Sequence, residues 1–530
     1  MINSYFFKKN KSSSNILMFL VILFVFLLNP SFVEAQKTQI EKLTQKNEKL
    51  RTNIETVKCV KDSEGNIYVI SCSLNMLFSA KILIQKFEGE NFKFLQERII
   101  ESVKGGYYEL NDAYILDDKI VLLISGWKSG DAIVYSQKID TSTLKVSKVD
   151  EISYFARTQD LSIGEIKNKY KGQTLQVRDS SYQSRALILP DIGIQKSDFR
   201  VILETKNKRE YDNKIELPSM KHGMRVAGLF LDSETNNINS IIQTNSDKDR
   251  TEQYNYLITF DYRTKSLNYS KISNGTYRLV IVSIEKERGS KRIKATGFYA
   301  NKGKEKKDKD ILRGVFTLYL DDIENIKLMP SEDIDSKTND LATFELKQRH
   351  FLENGDVIYV NEKKIETETG EGAGYVNGEY NHSTEQRFIH FEDLIVYKVD
   401  KEGSLIWSKY IPKTQHFSIG GYLYGSVISS VKNDKLYLYT TSSREFDKSE
   451  ETKLILRENQ RLQKAKIIEI IIDTENGSIS SNTLLNGQTA EDLDIVFLPY
   501  FASRADENEV IMPCLQKNRR YTLIRIFLNK

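Results

Sequence analysis

One stretch of the chain gathers residue types that can do chemistry. Residues 372–398 read GAGYVNGEYNHSTEQRFIHFEDLIVYK and hold two of the five histidines, His382 and His390. Tyr375, Glu379, Tyr380, Glu385 and Arg387 lie between or beside them. Aromatic rings with polar tips, together with arginine, are what binding surfaces favour. We therefore take Tyr375, Tyr380, His382, Arg387 and His390 as candidate contacts for a ligand or partner. A metal site would need two or three of these side chains to converge, and linear spacing does not provide that, so no metal ligands are assigned. His222, His350 and His416 are scattered singly and read as structural.

Motifs that fix residue types at set spacings point elsewhere or nowhere. The chain has no phosphate-binding GxxxxGK[ST], no HExxH and no GxSxG nucleophile elbow. Gly370–Gly374 reads GEGAG, which is a glycine-rich loop and no dinucleotide fingerprint. The acids of 245–249 and 332–340 alternate as oxygen ligands of calcium do, yet lack the glycine and the distal glutamate of such loops. No cofactor is expected. The three cysteines are Cys59, Cys72 and Cys514. If Gly65-Asn66 formed a two-residue turn, Cys59 and Cys72 would face each other across a hairpin and could form a disulfide. Another register would leave buried thiols.

Regular elements must position any such site. "LIVYKVDKEGSLIWSKYIPKTQ" (394–415) alternates apolar and polar residues on both sides of Asp400-Lys401-Glu402-Gly403. Asp and Gly are turn residues and period 2 is the strand period, so the unit is a β-hairpin. Looser copies lie at 138–149, 260–272 and 472–484. A second unit, a turn followed by an apolar strand, recurs at 64–71, 117–125, 353–360, 433–440 and 507–514. The two units alternate and define modules of about four strands, the pattern of propeller blades. The expected fold is all-β: a β-propeller of about eight four-stranded blades, with seven the next count and two packed β-sandwich domains the alternative. Candidate blades span 54–100, 107–150, 172–217, 222–273, 277–329, 343–412, 424–486 and 495–529. Residues 40–53 suit a ring-closing strand or a short helix equally, and 448–464 is helix-compatible. Trp407 is expected in the core, on the same strand face as Leu405.

The amino terminus has the layout of a secretory leader. Lys8, Lys9 and Lys11 precede thirteen apolar residues, Ile16 to Leu28, and Ala35 offers a cleavage point. The run is shorter than the ~20 residues of a spanning helix. The expected organisation is a signal peptide at 1–35, a linker or ring-closing strand at 36–53 and a propeller-like domain at 54–530. The mature chain is then expected to be no integral membrane protein. The formal charge is +4, of which the leader carries +2 through three lysines and Glu34. That near-neutral balance argues against a nucleic-acid partner. Abundant tyrosine and phenylalanine, 28 and 25, beside only seven prolines, suit β-structure.

The stretches 211–218 (YDNKIELP), 293–321 (IKATGFYA to LYLD), 405–415 and 431–439 (VKNDKLYLY) resemble motifs of uncharacterised secreted propeller-like repeat proteins of Gram-negative bacteria. The resemblance spans roughly residues 180 to 530 and implies export and a β-rich repeat fold. It carries no activity. The expected function is an exported, non-catalytic binding or scaffold protein of the cell envelope or exterior, located in the periplasm, on the outer-membrane surface or outside the cell. Its partner would be an envelope or extracellular protein or a glycan. The alternative is an exported enzyme degrading glycans or peptides with acids converging in the propeller channel.

Overall fold

The computed structural model describes residues 39–42 and most of 54–527. Residues 1–38, 43–53, 156–174 and shorter loops, among them 302–310, 332–343, 370–373, 382–385 and 447–452, lie outside the described residues, as do the side chains of 148–226 and 368–387. The expected leader therefore lies outside them.

Among the described residues the strands form eight sheets of four or more strands, antiparallel except for one added strand in the sixth, following one another along the chain at 54–101, 106–155, 175–216, 225–272, 277–330, 344–418, 427–483 and 495–527. We number these blades 1 to 8. In blades 1 to 7 strand order follows chain order. The first strands touch from blade 1 to 2, 3 to 4, 4 to 5, 5 to 6 and 6 to 7; blade 7 then meets Ser503–Asp506 of blade 8, which returns to Ile54–Lys61 of blade 1. The first strands thus form the inner ring of a β-propeller, and two separate sandwiches are excluded. The fourth strand of blade 8 comes from the other end of the chain: Gln39–Lys42 pairs antiparallel with Tyr521–Phe527, Gln39 opposite Phe527.

The repeated aspartate turn explains how neighbouring blades hold together. In blade 2, Asp140 Oδ1 accepts the backbone N–H groups of Ser142 and Thr143 at 3.1 and 2.9 Å, closing the turn between the third and fourth strands. Thr141 then donates through N and Oγ1 to the carbonyl of Asp118, at 3.1 and 2.7 Å, in the turn between the first two strands. Blade 7 repeats this with Thr474 on Asp434, at 2.8 and 2.9 Å. Asp118 and Asp434 both have positive φ, 56° and 57°, which aspartate tolerates better than most residues.

The same turn is gripped by the preceding blade. Tyr68 Oη of blade 1 lies 3.0 Å from the carbonyl of Thr141 and 2.8 Å from Asp62 Oδ2, so its one proton is shared between the two acceptors. Tyr319 Oη of blade 5 lies 3.0 Å from the carbonyl of Glu402 and 3.0 Å from Glu287 Oε1, sharing its proton between them, and Trp407 of blade 6 donates to the carbonyl of Thr474 at 3.1 Å. At the ring closure Arg525 of blade 8 donates to Gly89 in the corresponding turn of blade 1. A large side chain with a polar tip suits this position, because its body fills the interface while its tip satisfies a carbonyl. Gly403 is required where it stands: its φ is +74°, and a Cβ there would lie 2.8 Å from Thr317 Cγ2 of blade 5.

Three expectations are corrected. Cys59 and Cys72 form no disulfide: the turn is 62–66, Cys59 lies opposite Val69 and Cys72 opposite Thr56, and both side chains are buried. The register differs by an odd number of residues from the one that would juxtapose them, so they lie on opposite faces of blade 1. Cys59 packs towards blade 8 and Cys72 towards blade 2. Within 448–464 the described residues form a strand, Leu454–Arg457, and a 3-10 turn, Leu462–Lys464. Trp407 is buried, 7% exposed, but it does not share a face with Leu405. A bulge at Ile406 separates them, so Leu405 packs towards blade 5 and Trp407 towards blade 7.

Candidate functional site

Blade 6 departs from the others. Its second and third strands, Val357–Thr369 and Gln386–Val399, run 13 and 14 residues, and the connection between them carries a small hairpin, Gly374–Val376 with Glu379–Asn381. The blade-to-blade connections leave from the same face of the ring as this extension, opposite the aspartate turns. Blade 7 braces its base: Leu454–Arg457, from the connection after its second strand, joins blade 6 as a fifth strand parallel to Leu405–Ser418.

The five sequence candidates fall on this extension. Tyr375 and Tyr380 are directly opposed in the small hairpin. Arg387 lies opposite Glu368 on the stem. His382 lies outside the described residues, as do the side chains of the two tyrosines and of Arg387. His390 is half-buried on the stem, and its partner was not foreseen: it lies directly opposite His416, with ring centroids 4.2 Å apart at 69°. Thr367 Oγ1 is 2.9 Å from His390 Nε2, and Phe388 sits edge-on to His416 with centroids 5.1 Å apart. Burial, and then the neighbouring His416, lower the His390 pKa.

Beneath the extension a buried polar cluster joins blades 6 and 7. Pro412 cannot donate to a ladder, and the strand bulges there; the N–H of Lys413 turns instead to Asp393 Oδ1 at 3.1 Å. The Lys413 side chain is fully buried and pairs with Glu362. Glu362 Oε2 also accepts from Ser426 Oγ at 2.6 Å and lies 3.5 Å from Lys347 Nζ. Gln415 Oε1 takes Lys413 Nζ at 3.1 Å and Ser426 N at 2.8 Å, while its Nε2 donates to the carbonyl of Thr441 at 2.8 Å. Burial opposes the charge on Glu362, but Lys413 and Lys347 outweigh it and hold the carboxyl below its ordinary pKa.

On the inner ring a serine and a histidine meet. His350 Nε2 is 2.8 Å from Ser429 Oγ of blade 7, and Nδ1 is 3.1 Å from Arg504 Nη1 of blade 8. A guanidinium only donates. Nδ1 is therefore the acceptor, Nε2 carries the proton, and the imidazole donates to Ser429. The serine hydroxyl passes its own proton to Gln348 Oε1 at 2.5 Å. A histidine in this state cannot act as a base towards Ser429, so the chain of contacts ties three inner strands and activates no nucleophile. Glu285, on the inner strand of blade 5, is likewise engaged: it accepts from Tyr359 Oη and pairs with Lys294 at 3.8 Å and Arg349 at 3.4 Å.

Burial, and secondarily Arg504, bring the His350 pKa down to about 3 from 6.5. The unfolded chain then binds a proton below pH 6.5 that the folded chain refuses. Stability contributed by this residue is complete above pH 6.5 and declines between about 6.5 and 3, by at most ~1.4 kcal/mol per pH unit. Urea unfolding at pH 6.5, 5.5 and 4.5 is expected to show this slope reduced in His350→Gln. Identical slopes for the two proteins would contradict the assignment.

No protein family matches the sequence, and no curated protein matches it. Solved structures with partial likeness include the β-propeller domain of the Trilobed protease from Pyrococcus furiosus, at 8% identity over 80% of this chain and 98% of that one, with a TM-score of 0.35. A prolyl endopeptidase is 9% identical over 88% of this chain and 54% of its own, with a TM-score of 0.36. An ulvan lyase of polysaccharide lyase family 25 is 7% identical over 82% and 94%, with a TM-score of 0.37. Scores this low say nothing about the activity of this chain, and the propeller fold rests on the order and contacts of its own sheets.

Proposed function

We propose that this protein is an exported binding or scaffold protein of the cell envelope or exterior, that it does not catalyse a reaction, and that the blade-6 extension is its contact surface. The observation that carries the reading is the extension itself: the stem strands outrun those of the other blades, carry an additional hairpin, and bear the tyrosine, arginine and histidine candidates. Loops on a rigid scaffold are where recognition usually sits. The braces from blade 7 and the Glu362–Lys413 cluster hold the stem's base, which lowers the ordering cost of binding there.

The proton order at His350 and Ser429, and the ion pairs of Glu285 with Lys294 and Arg349, favour a structural use of the inner-ring polar groups. The partner we expect is an envelope or extracellular protein or a glycan. The mature chain, beginning near Gln36, should retain such a partner from an envelope extract, and the same preparation should turn over none of a panel of glycans and peptides. Turnover abolished by replacing an inner-strand acid would establish the enzymatic alternative instead.

A further inference from the structure

His390 and His416 have a geometry that neither the strand scaffold nor the binding reading requires. They oppose each other on the two longest strands of blade 6, both are half-buried, and their rings meet at 4.2 Å between centroids. Directly opposed side chains on antiparallel strands are the closest cross-strand neighbours, so one ion could touch a nitrogen from each ring. We propose that this pair is a two-ligand site for a divalent transition metal of the zinc, nickel and copper class, with its remaining positions open to water or to a donor brought by a bound molecule.

Neutral imidazole is the common protein ligand for these metals. The contact between Thr367 Oγ1 and His390 Nε2, 2.9 Å, is of the kind that orients a ligating ring. Ligating histidines usually commit their second nitrogen to such an outer partner. With Nε2 committed to Thr367, Nδ1 is the coordinating nitrogen of His390. Phe388, edge-on to His416, restricts the second ring.

The charges around the pair define the site further. Glu392, two residues along from His390, is paired with Lys363 at 2.9 Å. Arg457 of the bracing strand lies in register with His416 and is exposed. Among the described residues no group of three histidines, cysteines or carboxylates assembles, so the described residues supply two ligands here.

The proposal shares the extension with the contact surface, but metal alone reads it without any partner, so either can fail separately. The mature chain would be titrated with Zn²⁺ by calorimetry and with Cu²⁺ by electron paramagnetic resonance, alongside His390→Gln, His416→Gln and Thr367→Val. The expected result is one saturable site with two imidazole nitrogens in the copper spectrum. Affinity should fall at least about tenfold in each histidine variant, and roughly tenfold in Thr367→Val, as loss of an outer-shell partner typically does. The threonine variant keeps both ligands and tests the geometry even if a histidine variant folds poorly. No saturable binding in the parent protein, or binding that survives either histidine replacement, overturns the proposal.

Discussion

Replacing Lys413 with methionine is expected to cost about 3–5 kcal/mol, the range seen when one member of a buried ion pair is removed. Lys413 and Glu362 are essentially inaccessible to solvent, 0% and 1% exposed. Without the ammonium, Glu362 keeps Ser426 Oγ and the more distant Lys347, and Gln415 Oε1 loses a donor. The penalty comes mainly from the carboxylate left behind. Adding Glu362→Gln should therefore recover a substantial part of it, and the double-mutant cycle should show a coupling of up to ~3 kcal/mol. Urea unfolding of the four proteins measures this. A single-variant loss below about 1 kcal/mol, with no coupling, would mean that the cluster does not hold blade 6 to blade 7.

Trp407→Ala should cost a similar 3–5 kcal/mol, as truncating a buried large aromatic does. The indole is 7% exposed, donates to Thr474 of blade 7, and abuts Gly477, where an added Cβ would stand 3.0 Å from the ring. Trp407→Phe should retain most of the stability, losing packing at the edge and a hydrogen bond worth about 1 kcal/mol. A loss under ~0.5 kcal/mol for the alanine variant would show that the ring does not carry the interface. It would also leave the grip of one blade on the next blade's aspartate turn without energetic weight.

The repeat was legible because turn chemistry and period-2 alternation are local. Asp140, Asp400 and Asp473 announced their turns, and the modules read from them match the observed sheets to within a few residues, apart from the later strands of blades 2 and 6. What the repeated turn does was not legible. Tyr68, Tyr319 and Trp407 reach it from another blade, and that pairing exists only once the ring has formed.

The site was legible in part for a related reason. The tyrosines and Arg387 stood out by composition. His416 did not, because two bulges intervene between it and His390. Counted inward from the Leu405–Val399 pair without them, His390 lands opposite Thr414; the bulges at Ile406 and Pro412 each advance the register by one residue. The proline was a visible sign of the second bulge, whereas nothing in the sequence marked the first. Cys59 and Cys72 failed in the same way, since a five-residue turn in place of a two-residue one moved them to opposite faces. Lys413 and Glu362, 51 residues apart, carried no sequence signal of their burial.

Retention of an envelope partner by the mature protein, compared with the Tyr380→Ala/Arg387→Ala double variant, tests the proposed contact surface most directly. Both positions lie on the extension, away from the inter-blade grips, and the proposed contact surface requires them to face solvent, where substitutions usually shift stability by less than ~0.5 kcal/mol. The thermal midpoints should therefore nearly coincide. The expected result is that the parent protein retains the partner and the double variant retains at most about a tenth as much, equivalent to a loss of ~1.4 kcal/mol. Equal retention by the two proteins at equal midpoints would contradict the assignment of the blade-6 extension as the contact surface.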